Sequence, residues 1–406
     1  LTWRSSVKVY TDIANRAYPV DPVETSYEPY NGIAFNVQSL DQDSSRRTWD
    51  YLTAITRYRP WDNTGICAGL DYLRFGPSYR NPLAFRGDQS NYRPWLDTAH
   101  STMRISQTAP MLFVGFDMEL NWVRYEQYTG KLAHSKDLDK YFHTHRLEFN
   151  LPMHSQVAVQ ETEIYGSTVE AAGSNPNLDA DSSGRSLEWL YVMPFLPYYF
   201  ASHYNGDRDN GVISIDGSFG GIPHWTFYGE LLLDDSKSPL SLFDDSWWGN
   251  KWAFSGGWSW VAQHGPWHWE WRAEYTRIEP WVYTHDQGAA YSYTHYGQCL
   301  GSDLGPNSQE LYTHAQIARG QASLRLSLSS VAKDTSRSGN INSIHDYDLD
   351  GTTRDYLNPE TTIRYKEIGL EISYAPWNFL WFRLVGYRYS GDYDGWRGES
   401  AIGVTW

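Results

Sequence analysis

The stretch Leu112-Phe113-Val114-Gly115-Phe116-Asp117-Met118-Glu119-Leu120-Asn121-Trp122 decides the fold. Its even positions, Leu112, Val114, Phe116, Met118, Leu120 and Trp122, are all apolar. Its odd positions carry Phe113, Gly115, Asp117, Glu119 and Asn121. Successive side chains of an extended strand point to opposite sides, so the segment has one greasy face and one acidic face. A helix would scatter the same residues around its circumference. The pattern recurs along the chain. Trp267, Trp269, Trp271, Ala273 and Tyr275 oppose His268, Glu270, Arg272 and Glu274, and Ala322, Leu324, Leu326 and Leu328 oppose Ser323, Arg325 and Ser327.

A soluble β-sandwich would also alternate. Here the strands run to about ten residues or more, and Trp and Tyr gather at their ends, as tilted membrane strands with aromatic girdles require. The composition agrees: 16% of the 406 residues are Phe, Trp or Tyr, yet the chain is polar on average. A helical membrane protein needs runs of about 20 apolar residues. The longest apolar stretch, Leu187–Phe200, is interrupted by Pro194 and Pro197. The expected fold is therefore all-β, a single transmembrane antiparallel barrel over residues 1–406, with long extracellular loops and a possible internal plug. Candidate strands run from 2–10 to 396–406. They include 30–39, 98–108, 111–126, 187–196 and 290–298, and an even count of about eighteen fits the length. The last stretch, Trp396–Trp406, alternates and ends on an aromatic residue.

The formal charge of −15 argues against a nucleic-acid partner, which needs a basic face. The expected location is the bacterial outer membrane, with membrane lipid and lipopolysaccharide as partners. The chain opens on Leu1-Thr2-Trp3-Arg4 without a signal peptide, as a mature or trimmed exported chain would. The two cysteines, Cys67 and Cys299, are either bridged or free. No cysteine spacing suggests a metal site, and no cofactor is expected.

The short connection at Ala375-Pro376-Trp377-Asn378 looks periplasmic. The long polar stretches Leu73–Asp97, Gly166–Arg185, Asp234–Asn250 and Lys333–Pro359 look like extracellular loops or a plug, and Pro194–Tyr204 suits a short helix or a constriction. Sugars offer apolar CH faces and many hydroxyls, so a saccharide site wants aromatic rings beside acids, amides or Arg. Tyr92, Arg93, Trp95 and Asp97 in one loop, and Asp244, Asp245, Trp247 and Trp248 in another, supply that mix. An interfacial aromatic belt accounts for them equally well. In the strands, Glu230, Asp234 and Asp235 can reach Arg277, and Glu270, Arg272 and Glu274 form an alternating ladder. Such charges read as a salt-bridged lumen network rather than as the paired carboxylates of a glycosidase. His285, His295 and His314 would need to converge to hold a metal. Asp207, Asp209 and Asn210 offer oxygen ligands for Ca²⁺ or a sugar hydroxyl, but read more simply as a turn with side-chain hydrogen bonds.

Several stretches resemble the capsule-assembly Wzi family of outer-membrane proteins. They are Arg74-Phe75-Gly76-Pro77, Ser202-His203-Tyr204-Asn205-Gly206-Asp207-Arg208-Asp209-Asn210, Tyr228-Gly229-Glu230-Leu231-Leu232-Leu233-Asp234-Asp235 and Glu274–His285. Tyr293-Thr294-His295-Tyr296-Gly297 and Leu300–Pro306 complete the set, which runs in order from about residue 65 to 310. The resemblance implies an eighteen-stranded barrel, closed by helices and loops, that acts as a non-enzymatic lectin for capsular polysaccharide. No segment here reads clearly as a three-helix plug. The alternatives on the same fold are an open porin or exporter for polar solutes or saccharides, and a structural subunit working with other envelope proteins.

Overall fold

The computed structural model describes residues 2–13, 38–39, 46–89, 91, 93, 109–135, 138–167, 185–206, 209–236, 241, 243–285, 288, 290–295, 297–377 and 379–404. Sixteen long strands dominate them. The first eight are β1 (Thr2–Ile13), β2 (Arg46–Trp61), β3 (Thr64–Asp71), β4 (Met111–Leu120), β5 (Val123–Ser135), β6 (Leu138–Leu151), β7 (Ser155–Gly166) and β8 (Asn210–Ile222). The rest are β9 (Trp225–Asp235), β10 (Lys251–His264), β11 (Trp267–Ile278), β12 (Ser308–Arg319), β13 (Ala322–Asp334), β14 (Thr362–Trp377), β15 (Leu380–Gly391) and β16 (Gly395–Val404). Each pairs antiparallel with the next, and the two-residue strand Gln38–Ser39 adds to β2. The result is an up-and-down meander curled into a barrel: inward side chains of β9, β11, β12 and β14 all reach one loop segment at its centre.

The register confirms the alternation. Leu112 and Val114 point outward, 58% and 55% exposed, while Phe113 is buried in the lumen. Leu324, Leu326 and Leu328 repeat this on β13, and Trp267, Trp269 and Trp271 on β11. Apolar side chains that would be costly in water form the lipid-facing band. The connections differ at the two ends. Those at 62–63, 121–122, 152–154, 223–224, 265–266 and 320–321 are two or three residues long, whereas 72–110, 167–209, 279–307 and 335–361 all leave the other end. Short turns mark the periplasmic end of such barrels and long loops the extracellular end. Trp61, Trp122, Met153, Ile222 and Trp377 ring the short-turn end, with Trp122 against Phe149 at 5.7 Å and Trp225 against Trp258 at 5.1 Å. No helix among the described residues is long and apolar enough to cross a membrane.

Several expected strands are revised. The stretch 111–126 divides at Asn121, whose φ of +52° makes the turn between β4 and β5. Residues 187–196 contain the helix α1 (Trp189–Val192) and no strand, and α2 (Tyr198–Tyr204) follows. Within 290–298 there is only a small hairpin, Thr294–His295 with Gln298–Cys299. The candidates 30–39 and 98–108 lie largely or wholly outside the described residues. Because β3 pairs directly with β4, from Thr64↔Met118 to Asp71↔Met111, no strand stands between those two. The described residues thus give sixteen long strands where about eighteen were expected.

Candidate functional site: a filled lumen beneath an extracellular loop cluster

The larger described part of the β3–β4 connection, residues 72–89, 91 and 93, turns inward and packs in the lumen. Its first half folds back on itself through a bridge between Arg74 and Arg86 and a hydrogen bond from Phe75 N–H to Phe85 O (3.0 Å). Inward carboxylates of the wall grip its backbone. Glu230 on β9 accepts the N–H groups of Ser78 (2.9 Å) and Leu83 (2.7 Å). Glu274 on β11 accepts those of Tyr79 (2.6 Å), Arg80 (3.1 Å) and Asn81 (2.9 Å). Gly76 is required here. Its φ is +85°, and a Cβ would stand 2.0 Å from Glu230 Oε1.

Two arginines complete the lock. Arg80 reaches Glu310 on β12 (3.3 Å) and Glu367 on β14 (3.4 Å), and Arg93 bonds Asp303 (2.6 Å) and Glu310 (3.1 Å). Burial alone would pull the Arg80 guanidinium down, but Glu310 and Glu367 hold it well above its ordinary value. The β11–β12 connection packs on the same plug: Tyr283 Oη–H donates to Leu83 O (2.8 Å), and Arg86 N–H donates to Leu300 O (3.0 Å). Phe85, Phe142, Tyr283, Tyr293 and Leu304 are fully buried in the lumen cluster. Below the plug, at the short-turn end, a polar cavity of about 370 Å³ remains, lined by Arg57, Arg124, Arg146, Glu126, Glu148 and Asp216 and roofed by residues 72–77.

The expected lumen network is partly rearranged. Arg272 pairs with Glu270 (3.1 Å) and lies over the Tyr79 ring (4.4 Å), while Glu274 turns to the plug. Arg277 shares the parity of Trp271 and Tyr275. It pairs with Glu279 (2.6 Å) and covers the Tyr356 ring (4.0 Å), and so does not meet Glu230, Asp234 or Asp235. Asp234 instead accepts from Tyr283 N–H (2.5 Å) and faces Lys251 (3.6 Å). Cys67 and Cys299 are both buried free thiols, and burial pushes the Cys299 thiol up to about 12. His285, His295 and His314 do not converge: they contact Tyr291, Pro110 O and Glu270 respectively. No metal-holding cluster occurs among the described residues. Asp209 pairs with Arg185 and accepts from Tyr191 Oη (2.7 Å), and Asn210 donates to Tyr291 O (2.7 Å). Asp207 lies outside the described residues.

At the extracellular end, the β9–β10 and β13–β14 connections join. Trp248 N–H donates to Thr352 O (2.9 Å), Arg354 Nε donates to Asp245 (3.0 Å), and the His345 ring lies flat on Trp248 at 3.7 Å. Trp248 is only 8% exposed, so it packs between loops and offers no free face. Asp244 caps the turn at Ser246. Trp247 is half-buried beside Trp248, while Phe243 and Tyr347, the latter on α3 (Tyr347–Asp350), are exposed. Trp247 and Tyr347 each lie 6.1 Å from Trp248, and Asp244, Asp245, Asp346 and Asp348 neighbour these rings along the two loops. Arg93 is fully buried in the plug. Tyr92, Trp95 and Asp97 lie outside the described residues. Tyr347 is not among the residues expected from sequence, and it has no local signal beyond an aromatic in an acidic run.

Among solved structures, the chain is similar to Wzi of Escherichia coli, an outer-membrane carbohydrate-binding β-barrel involved in group 1 capsule assembly. The TM-score is 0.54 and the identity 14%, over 87% of this chain and 68% of that one. The fold is that of a bacterial outer-membrane β-barrel. Weaker likenesses are OccK2 of Pseudomonas aeruginosa in complex with glucuronate (TM-score 0.42, 8% identity, 87% and 79% covered) and a BenF-like porin of Pseudomonas fluorescens (0.42, 9%, 88% and 77%). No family model matches the sequence. No curated protein matches it either.

Proposed function

We propose that the whole chain works as one plugged, non-enzymatic outer-membrane barrel that binds or organises surface polysaccharide, in the manner that the resemblance to the Wzi family implies. The observation that carries this reading is the lumen plug. Five backbone N–H groups of residues 78–83 end on two buried wall carboxylates, an arrangement suited to a fixed stopper rather than to a conducting eyelet. With transport disfavoured, the outer loops carry the function. Trp247 and Tyr347 beside Asp244, Asp245 and Asp346 supply stacking rings and acceptors for sugar hydroxyls. A second reading, a channel for polar solutes, draws support from the polar cavity left beneath the plug.

Planar-bilayer recording separates the two: the plugged reading expects no large stable current, and such a current would sink it. Glycan binding tests the loop site. With the host's own surface polysaccharide as probe, the Trp247→Ala, Tyr347→Ala double variant is expected to bind at least about tenfold more weakly, the scale of one or two lost ring contacts. Unchanged affinity removes these positions from the site. Trp248→Ala is a poor probe, because it would collapse the loop packing itself.

A further inference from the structure

The outer wall of β5, β6 and β7 breaks the lipid-facing rule. One row of paired residues runs Phe116, Gln127, His145, Glu161, Ile213 across β4 to β8, and the next runs Val114, Thr129, His143, Glu163, Gly211. Each row is apolar or small at its ends and polar in its middle, on the side opposite the lumen. His145 and Glu161 lie six or seven residues from the short turn at 152–154. At a rise of about 3.3 Å and a tilt of about 45° that is about 14 Å up the wall, the middle of an apolar band about 25 Å tall. Bare polar groups there would face hydrocarbon.

They are covered by the segment that holds α1 and α2. Gln127 Nε2 donates to Tyr191 O (3.1 Å) and Val192 O (3.0 Å). Phe195 N–H donates to Tyr125 Oη (3.0 Å), and Tyr198 N–H donates to Glu161 Oε2 (2.7 Å). The Tyr198 ring sits 4.1 Å from His145, and Tyr191 lies 5.4 Å from His143. Tyr165, Tyr191, Tyr198 and Ala201 form a buried cluster separate from that of the lumen. The opposite side of the segment is greasy and open: Trp189, Met193, Phe195, Tyr199 and Phe200 are exposed. It continues the lipid-facing band, with Leu112 and Val114 on one flank and Val159 and Ile215 on the other.

We propose that residues 188–206 lie inside the bilayer, docked on the outside of the barrel wall, and that the partner of their exposed face is the acyl chains of the outer-membrane lipid. The segment trades a polar wall for an apolar one: its backbone and tyrosines satisfy the wall, and its outer rings meet lipid. This places a loop that leaves the extracellular end at mid-membrane depth instead of on the cell surface. It is independent of any saccharide function.

Site-directed spin labelling of the full chain in phosphatidylcholine–phosphatidylglycerol liposomes tests it. The free thiols are removed as Cys67→Ser and Cys299→Ser, and a nitroxide is placed at Phe200→Cys or, separately, Trp189→Cys. Both side chains point away from the wall, so neither change removes a docking contact. An Asp346→Cys label marks the extracellular loops. Collision with oxygen is expected to exceed collision with a water-soluble nickel chelate several-fold at 200 and 189, with the reverse at 346. Chelate-dominated relaxation at both 189 and 200 would put the segment in water and overturn the proposal. Dipolar broadening between labels on different molecules would assign the face to a second copy of the chain and overturn it equally.

Discussion

At the residue scale, the buried carboxylates carry the most consequence. Glu274 accepts three backbone N–H groups of the plug, that of Asn81 buried and those of Tyr79 and Arg80 part-buried. Glu274→Leu should weaken plug docking by at least about 3 kcal/mol, because charged hydrogen bonds are lost and buried donors left unmet. The expected readout is a rise in bilayer current and in protease cleavage near residues 78–83. Gly76→Ala should act in the same direction through two causes, a positive φ and a Cβ driven onto Glu230, at about 1–3 kcal/mol. His295 gives the pH dependence. Burial holds it down at about 3, from an ordinary value of 6.5, and its ring contacts Pro110 O with Lys140 nearby. Its folded form binds fewer protons than the released form between those values. Its contribution is thus whole above about pH 6.5 and declines as pH falls towards 3. Titrating heat-modifiability or current from pH 7 to pH 4 should show the plug loosening on the acid side only.

At the element scale, alternation makes most strands legible: Leu112 and Val114, and Leu324, Leu326 and Leu328, are exposed on the outer face as the pattern requires. The same rule predicts an asymmetry on β13. Leu326→Arg, facing lipid near mid-height, should cost about 2–4 kcal/mol of barrel stability, while Ser327→Arg, facing the lumen, should cost far less; urea unfolding in liposomes compares them. The helical segment reads as a strand because it is apolar on both sides, one facing the wall and one facing outward, which erases any period. A signal does exist. The outward positions of β6 and β7 carry His143, His145, Glu161 and Glu163, and polar residues there demand a cover. The plug contacts have no such signal, since Glu274 and Asn81 are 193 residues apart and sequence spacing says nothing about which loop enters a lumen. Trp248 reads equally as a sugar platform or an interfacial ring because burial by a distant loop is just as invisible: 109 residues separate Arg354 from its partner Asp245.

At the scale of the whole molecule, barrel and plug are held by different sets of contacts. The wall is held by strand ladders between neighbours, and the plug by side chains reaching across the lumen. Replacing residues 74–93 with a short Gly-Ser linker should therefore leave a folded, heat-modifiable barrel that now conducts. A deletion variant that fails to fold would mean instead that Glu230, Glu274 and Glu310 cannot be left without partners inside the wall, a burden that Gln substitutions at all three should relieve.

The unequal rims also fix what an antibody could see. An epitope spliced at Asn340–Asn342, in a long connection, should be stained on intact cells. The same epitope at Gly320–Gln321, a tight turn with open space around Gly320, should stay dark until the envelope is permeabilised.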